Sequence, residues 1–269
     1  MSEVFDLKAR LTEMGITPKK AFGQNFLVSQ FVIKKIIESV RRHEFEDLIE
    51  IGPGLGALTE PLLAADLRPR LIELDSDLVA HWRGRGLDVI DADAIKLDWD
   101  ALALKEPALL VSNLPYQIST HLVIDRCFGP RAIRHMVLMF QKEVAQRLMA
   151  EPRTKEYGLL SVMAQLHFKM RKVTDASPGD FFPAPKIASR VLWFERRPEE
   201  SPGPRFLTLL KHAFAFRRKY LLKNLKGVVD KSKFVRLQEI FAELGLSEKV
   251  RAEELTPNQF KDLFTKVNQ

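Results

Sequence analysis

Hydrophobic and polar positions follow two regimes along this chain. Over its first two thirds, short apolar runs alternate with stretches of helical periodicity. DLIEIG (47–52), RLIEL (70–74), DVIDAD (88–93), ALLVSN (108–113) and HMVLMF (135–140) have the length and near-continuous apolarity of strands buried on both faces. Between them, 57–65, 77–85 and 119–128 read as helices. That alternation predicts an α/β fold, a doubly wound sheet of mostly parallel strands. Two later runs, 166–173 and 189–195, joined by a loop over 174–188, predict an antiparallel hairpin at the sheet edge. RRPEESPGPR (196–205) has the composition of a linker, and everything beyond it reads helical. Thr256 and Pro257, for example, supply an N-cap and a first-turn proline for a helix ending near Val267. The expected organisation is one α/β domain over 1–197 and a small all-helical domain over 205–269.

No run approaches the ~20 apolar residues that span a bilayer, and MSEVFDLKAR at the start lacks the apolar core of a leader. A single cysteine, Cys127, excludes a disulfide framework and a cysteine-based zinc site. The expectation is a cytoplasmic, metal-free, monomeric protein away from any membrane. Charge changes the picture further. Residues 205–269 hold 14 Lys/Arg against 7 Asp/Glu, whereas 1–204 are balanced at 28 of each, so the whole net charge of +7 sits in the last quarter. There Phe206, Leu210, Phe214, Leu221 and Leu225 recur at helical spacing among Lys211, Arg217, Arg218, Lys219, Lys223, Lys226, Lys231 and Lys233. Such helices bury one face and present the other either to a polyanion or simply to solvent.

The first strand runs into Glu50-Ile51-Gly52-Pro53-Gly54-Leu55-Gly56-Ala57. Glycines at a strand-to-helix turn let the backbone approach a ligand closely. Glu73 and Asp75 follow at the second strand tip, where a carboxylate can accept both hydroxyls of a ribose. Asp93 at the third tip suits the exocyclic amine of an adenine, or caps a helix. At this point an adenosine-bearing cofactor is indicated, and a nicotinamide dinucleotide fits as well.

The fourth strand ends in Asn113-Leu114-Pro115-Tyr116, which bears on the chemistry. The exocyclic amine of adenine is a poor nucleophile, because its lone pair is delocalised into the ring. Two acceptors on its hydrogens, the Asn113 side-chain carbonyl and the Leu114 main-chain carbonyl, would aim the lone pair at an electrophilic methyl. Pro115 biases Leu114 towards an extended backbone, and Tyr116 offers a face on which an extruded base stacks. Such a site needs neither metal nor covalent nucleophile, since alignment supplies much of the rate. A hydride-transfer enzyme has no use for this motif.

Taken together, Phe22-Gly23-Gln24-Asn25-Phe26-Leu27, Ile49 to Gly56, Ile72-Glu73-Leu74-Asp75, Asn113-Leu114-Pro115-Tyr116 and Phe181-Phe182-Pro183-Ala184-Pro185-Lys186 resemble, in order, the ribosomal RNA adenine dimethyltransferases. Gln141 to Val144 and Tyr157 to Ser161 are similar too. The resemblance implies a Rossmann-like class I methyltransferase domain that uses S-adenosyl-L-methionine. It implies dimethylation of two adjacent adenosines near the 3′ end of 16S rRNA within the small ribosomal subunit, and a place in subunit biogenesis. It carries cofactor contacts onto Asn25, Leu27, Gly52, Glu73, Asp93 and Asn113. It places Asn113, Leu114, Tyr116 and Phe181 around the target base, with Phe181 opposite Tyr116. Asn25, Leu27 and Phe181 come from the resemblance alone. The competing readings are a large-subunit rRNA adenine methylase of the antibiotic-resistance type and a non-catalytic assembly factor that has kept the fold.

Overall fold

The computed structural model describes residues 25–199, 202–226 and 234–268. Phe22, Gly23 and Gln24 of the first motif, and Lys231 and Lys233 of the basic run, lie outside the described residues. The chain divides into two compact units, one from residues 1–145 with 169–196 and one from 146–168 with 197–269. The second unit thus includes 146–168 besides the C-terminal segment. Tyr157, fully buried, belongs to it by donating its hydroxyl to the Leu255 carbonyl at 2.8 Å. A linker composition at 196–205 marks only the last of the three crossings.

The first unit is built on strands β2 (Asp47–Ile51), β3 (Arg70–Glu73), β4 (Val89–Asp91), β5 (Ala108–Ser112), β6 (Ile133–Gln141), β7 (Phe168–Ala176) and β9 (Ser189–Arg196). Their order is β4-β3-β2-β5-β6-β9-β7. The pairs β2/β3, β3/β4, β2/β5 and β5/β6 are parallel, and β6/β9 is antiparallel. Every residue of β5 is buried, as expected for a central parallel strand covered on both faces. Helices α1 (Gln30–Val40), α2 (Thr59–Ala64), α3 (Ser76–Gly84) and α4 (Tyr116–Phe128) flank the sheet. Val32, Ile33, Ile36 and Val40 of α1 share a core with Leu109 and Val111 of β5 and with Val137 and Met139 of β6. The doubly wound sheet read from the sequence is therefore present, with β9 and β7 at its antiparallel end.

Three local differences matter for the site. Helix α4 begins at Tyr116 rather than Ser119, because Pro115 (φ −55°, ψ 127°) occupies the N-cap position and places Tyr116 in the first turn. Residues 166 and 167 close a helix, α6 (Leu159–His167), and β7 starts only at Phe168. The stretch 174–188 is no simple loop. It contains a 3₁₀ turn, Pro178–Asp180, and a strand β8 (Phe181–Phe182) that pairs antiparallel with β1 (Phe26–Leu27).

The second unit is helical: α6, α7 (Pro204–Ala213), α8 (Leu221–Leu225), α9 (Phe234–Glu243) and α10 (Pro257–Val267), while α5 (Lys142–Leu148) straddles the boundary. Phe206, Leu210, Leu221 and Leu225 are buried in its core, as their helical spacing predicts. Phe206 meets Phe264 edge-on at 5.4 Å, and Phe214 packs on Phe260 at 5.5 Å. Thr256 caps α10 by accepting the Gln259 N–H at 3.2 Å.

Candidate active site

The strand order reverses between β2 and β5, and a crevice at the carboxyl ends of strands is where an open α/β sheet takes its ligand. A cavity of about 300 Å³ opens there. Asn25, Leu27, Gly52, Glu73, Asp93, Asn113, Leu114 and Tyr116 all line it, drawn from five separate segments.

The glycine turn after β2 has a definite construction. Gly52, Gly54 and Gly56 all adopt positive φ (64°, 53° and 86°), a region that L side chains rarely enter. A Cβ at Gly56 would lie 2.8 Å from the Trp82 ring, whose Nε1 donates to the Gly54 carbonyl at 3.0 Å. Trp82, fully buried on α3, thereby pins the turn. A Cβ at Gly52 would meet no protein atom within 4 Å, because that face of the backbone opens onto the cavity.

Buried acids govern the electrostatics. Glu73 accepts the Leu74 and Asp75 N–H groups at 2.7 and 2.9 Å through one oxygen, Oε1. Burial raises its carboxyl above the usual range, against these amides and that of Gly54. Glu50, at 1% exposure, accepts the Thr59 hydroxyl at 2.8 Å. Burial pushes Glu50 up to about 8, opposed by the Thr59 bond and helped by the charge of Glu73. The two acids give an otherwise largely apolar cavity buried oxygen acceptors. Asp93 caps the turn after β4 by accepting the Ile95 N–H at 2.9 Å through Oδ1, so its capping role is real, and its Oδ2 lies 3.9 Å from the exposed Lys96 ammonium.

The Asn113 amide nitrogen donates to the Asn25 carbonyl at 3.3 Å. With Nδ2 so committed, Oδ1 is the atom of that amide left to accept. Tyr116 is half-buried, and its hydroxyl shares a 2.7 Å hydrogen bond with the Ser189 hydroxyl at the start of β9. That bond fixes the ring's tilt, and burial raises the phenol's pKa, so the ring stays neutral.

Phe181 is not among the residues lining this cavity. The β1–β8 register explains it. Leu27 pairs with Phe181, and both enter the core beneath α1, where Phe181 is 3% exposed. Phe26 pairs with Phe182, and both turn to the opposite core around Trp82. Alternation along a strand separates the two phenylalanines. Sequence reasoning assigned no role to two residues of this site. Glu50 was visible as an acid inside an otherwise apolar strand, whereas Ser189 carried no signal. Among the described residues no cluster of His, Cys, Asp and Glu could hold a metal, and no helix is long and apolar enough to cross a membrane.

Comparison with known proteins agrees with this geometry. Residues 16–269 match the family described as ribosomal RNA adenine dimethylase. A ribosomal RNA small subunit methyltransferase A from Bdellovibrio bacteriovorus is 51% identical over 254 residues, covering 93% of each chain. A dimethyladenosine transferase from Plasmodium falciparum superposes with a TM-score of 0.79 at 25% identity, over 90% of this chain and 97% of that one. The 23S rRNA methyltransferase ErmE gives 0.63 at 25% identity, over 91% and 100%. With its glycine turn, buried acids and Asn-Leu-Pro-Tyr corner in one cavity, the chain belongs to the ribosomal RNA adenine dimethylase family.

Proposed function

We propose that this chain dimethylates the exocyclic amines of two adjacent adenosines near the 3′ end of 16S rRNA in the small ribosomal subunit, using S-adenosyl-L-methionine. The observation that carries the proposal is the Asn113 amide, held by the Asn25 carbonyl in a cavity it shares with Glu73 and Gly52. The cavity suits the cofactor: its volume reaches the range of small-molecule sites, Gly52 leaves room against the backbone, and two buried acids face it. When bound, S-adenosyl-L-methionine supplies an electrophilic sulfonium methyl. Glu73 accepts the ribose hydroxyls, Asp93 the adenine amine, and the walls at Asn25, Leu27 and Gly52 hold the methionine end. Asn113 Oδ1 and the Leu114 carbonyl accept the two hydrogens of the target amine and orient its lone pair. Tyr116 stacks on the base, its tilt set by Ser189. Phe181 acts from behind Leu27, as packing that supports the wall.

The second unit serves as the RNA-binding part, through the exposed cations Arg218, Lys219 and Lys223. Arg217 has another job. It binds the Lys155 carbonyl at 2.7 Å and Glu253 at 2.8 Å, and so ties the unit to itself. The protein works as a monomer in the cytoplasm, with a role in small-subunit biogenesis. Identity of 51% to a small-subunit enzyme against 25% to a 23S enzyme favours the small subunit as substrate. Methyl transfer to purified small subunits lacking the modification, run beside large subunits, tests this. Incorporation into large subunits alone would overturn it.

A further inference from the structure

Most described aromatic residues of the second unit's helices pack into its core, whereas the turn between α7 and α8 exposes two, Phe216 and, less fully, Tyr220 at 36%. Phe206, Phe241 and Phe260 are fully buried, and Phe214 packs against Tyr157 and Phe260. Phe216, two residues further on, is 57% exposed. Its exposure is not that of a loose loop, because the turn is clamped. Asn224, buried, donates through Nδ2 to the Ala213 carbonyl at 2.7 Å and to the Phe216 carbonyl at 3.1 Å. The Lys219 N–H returns to the Phe216 carbonyl at 2.9 Å, and Leu221 N–H bonds the Val250 carbonyl at 2.8 Å. Arg217 anchors the middle of the turn to Lys155 and Glu253. Buried polar bonds thus fix the backbone that carries this large, outward ring.

Its surroundings indicate what it meets. From Ala215 to Lys226 the chain has five cations, Arg217, Arg218, Lys219, Lys223 and Lys226, and no acid. Arg218 and Lys219 are exposed and, among the described residues, have no ion-pair partner. Lys219 Nζ lies 4.1 Å from the Phe216 ring centroid, so positive charge already sits at the ring. An exposed π-face on a clamped turn, with cations beside it, matches the two parts of an unpaired nucleotide, the base and its flanking phosphates.

We propose that Phe216 is a stacking platform for an unpaired base of the small-subunit rRNA, with Arg218 and Lys219 taking the adjacent phosphates. This rests on the reading of the second unit as the RNA-binding part. Stacking is independent of salt, whereas phosphate contacts are not, and that separates the two ideas. Affinity for small subunits lacking the modification is measured at several salt concentrations. Phe216→Ala weakens binding roughly 5- to 150-fold, the range of one base–aromatic stack, and leaves the log–log salt slope unchanged. Phe216→Trp retains binding, and Phe216→Leu, apolar but lacking a π-face, behaves like Phe216→Ala. Arg218→Gln and Lys219→Gln each shallow the slope by roughly 0.7–0.9. A photoreactive p-benzoylphenylalanine at position 216 crosslinks to rRNA. Parent-like affinity of Phe216→Ala or Phe216→Leu, a crosslink to a ribosomal protein, or no rRNA crosslink overturns the stacking role. If the two Gln variants also leave affinity and slope unchanged, the RNA-facing reading of the unit falls with it.

Discussion

Removing the Asn113 side chain separates the two jobs the structure gives it. Asn113→Ala deletes the Oδ1 acceptor proposed for the target amine and the Nδ2 donor that bonds the Asn25 carbonyl at 3.3 Å. A preorganised hydrogen-bond partner aimed at the reacting group is worth roughly 10²–10³ in rate, or about 2.7–4 kcal/mol. The Asn25 carbonyl loses one neutral bond, worth about 1 kcal/mol, so cofactor affinity falls only about fivefold. Subunit affinity stays near the parent's, because one lost contact is a small part of an RNA interface, whereas transition-state contacts appear in the rate. Single-turnover methyl transfer at saturating cofactor reads the first loss, calorimetric titration the second. Asn113→Asp, which keeps an acceptor but cannot donate to Asn25, weakens cofactor binding as well. A well-folded Asn113→Ala protein with a single-turnover rate within about threefold of the parent would refute the orienting role, since ~0.7 kcal/mol is too little for such a contact.

Three further outcomes follow from the same site. Glu73→Ala lowers S-adenosyl-L-methionine affinity roughly 10- to 100-fold, the worth of a charged acceptor bonded to ribose hydroxyls; calorimetry giving parent affinity in a folded variant contradicts it. Tyr116→Phe keeps the stacking face but loses the 2.7 Å bond to Ser189; it slows transfer by roughly 2- to 10-fold, the worth of one hydrogen bond, while Tyr116→Ala also loses the ~1–3 kcal/mol of a base stack. Equal rates for the two variants contradict a stacking role. Glu50 holds its proton to about pH 8 in the folded protein, whereas an unfolded chain releases it near 4.5. Stability contributed by the neutral acid is thus present below pH 4.5 and lost as pH rises to 8, at up to ~1.4 kcal/mol per pH unit. Denaturant titrations at pH 5, 6.5 and 8 read a flatter profile for Glu50→Gln, and an unchanged profile rejects the buried neutral acid.

Much of this was legible in the sequence because parallel strands buried on both faces leave continuous apolar runs. β2, β3, β4 and β5 stand within a residue or two of those runs. The glycine turn, Glu73, Asp93 and Asn113 sit at strand tips, where period and punctuation coincide, and they line one cavity. Two-residue strands leave no such trace. β1 and β8 are shorter than any pattern, so the ladder that sends Phe181 to the core was invisible. The helix start at Tyr116 depended on reading Pro115 as a cap rather than as the end of a turn. α6 absorbed residues 166 and 167, because an apolar run fits a buried helix and a buried strand equally well. Charge counting grouped Arg217 with its neighbours. Only its bonds to Glu253 and Lys155 separate a cation that anchors the unit from those left exposed.

The central claim is that one cavity orients the amine of adjacent rRNA adenosines for repeated methyl transfer. Its most direct test is to map the products base by base on 16S rRNA from small subunits that lacked the modification, after incubation with the purified protein and S-adenosyl-L-methionine. The account predicts N6,N6-dimethyladenosine at two neighbouring positions near the 3′ end, and no product there with Asn113→Ala on the same timescale. Methyl groups at a single unrelated adenosine, on another atom, or nowhere in 16S rRNA would contradict it.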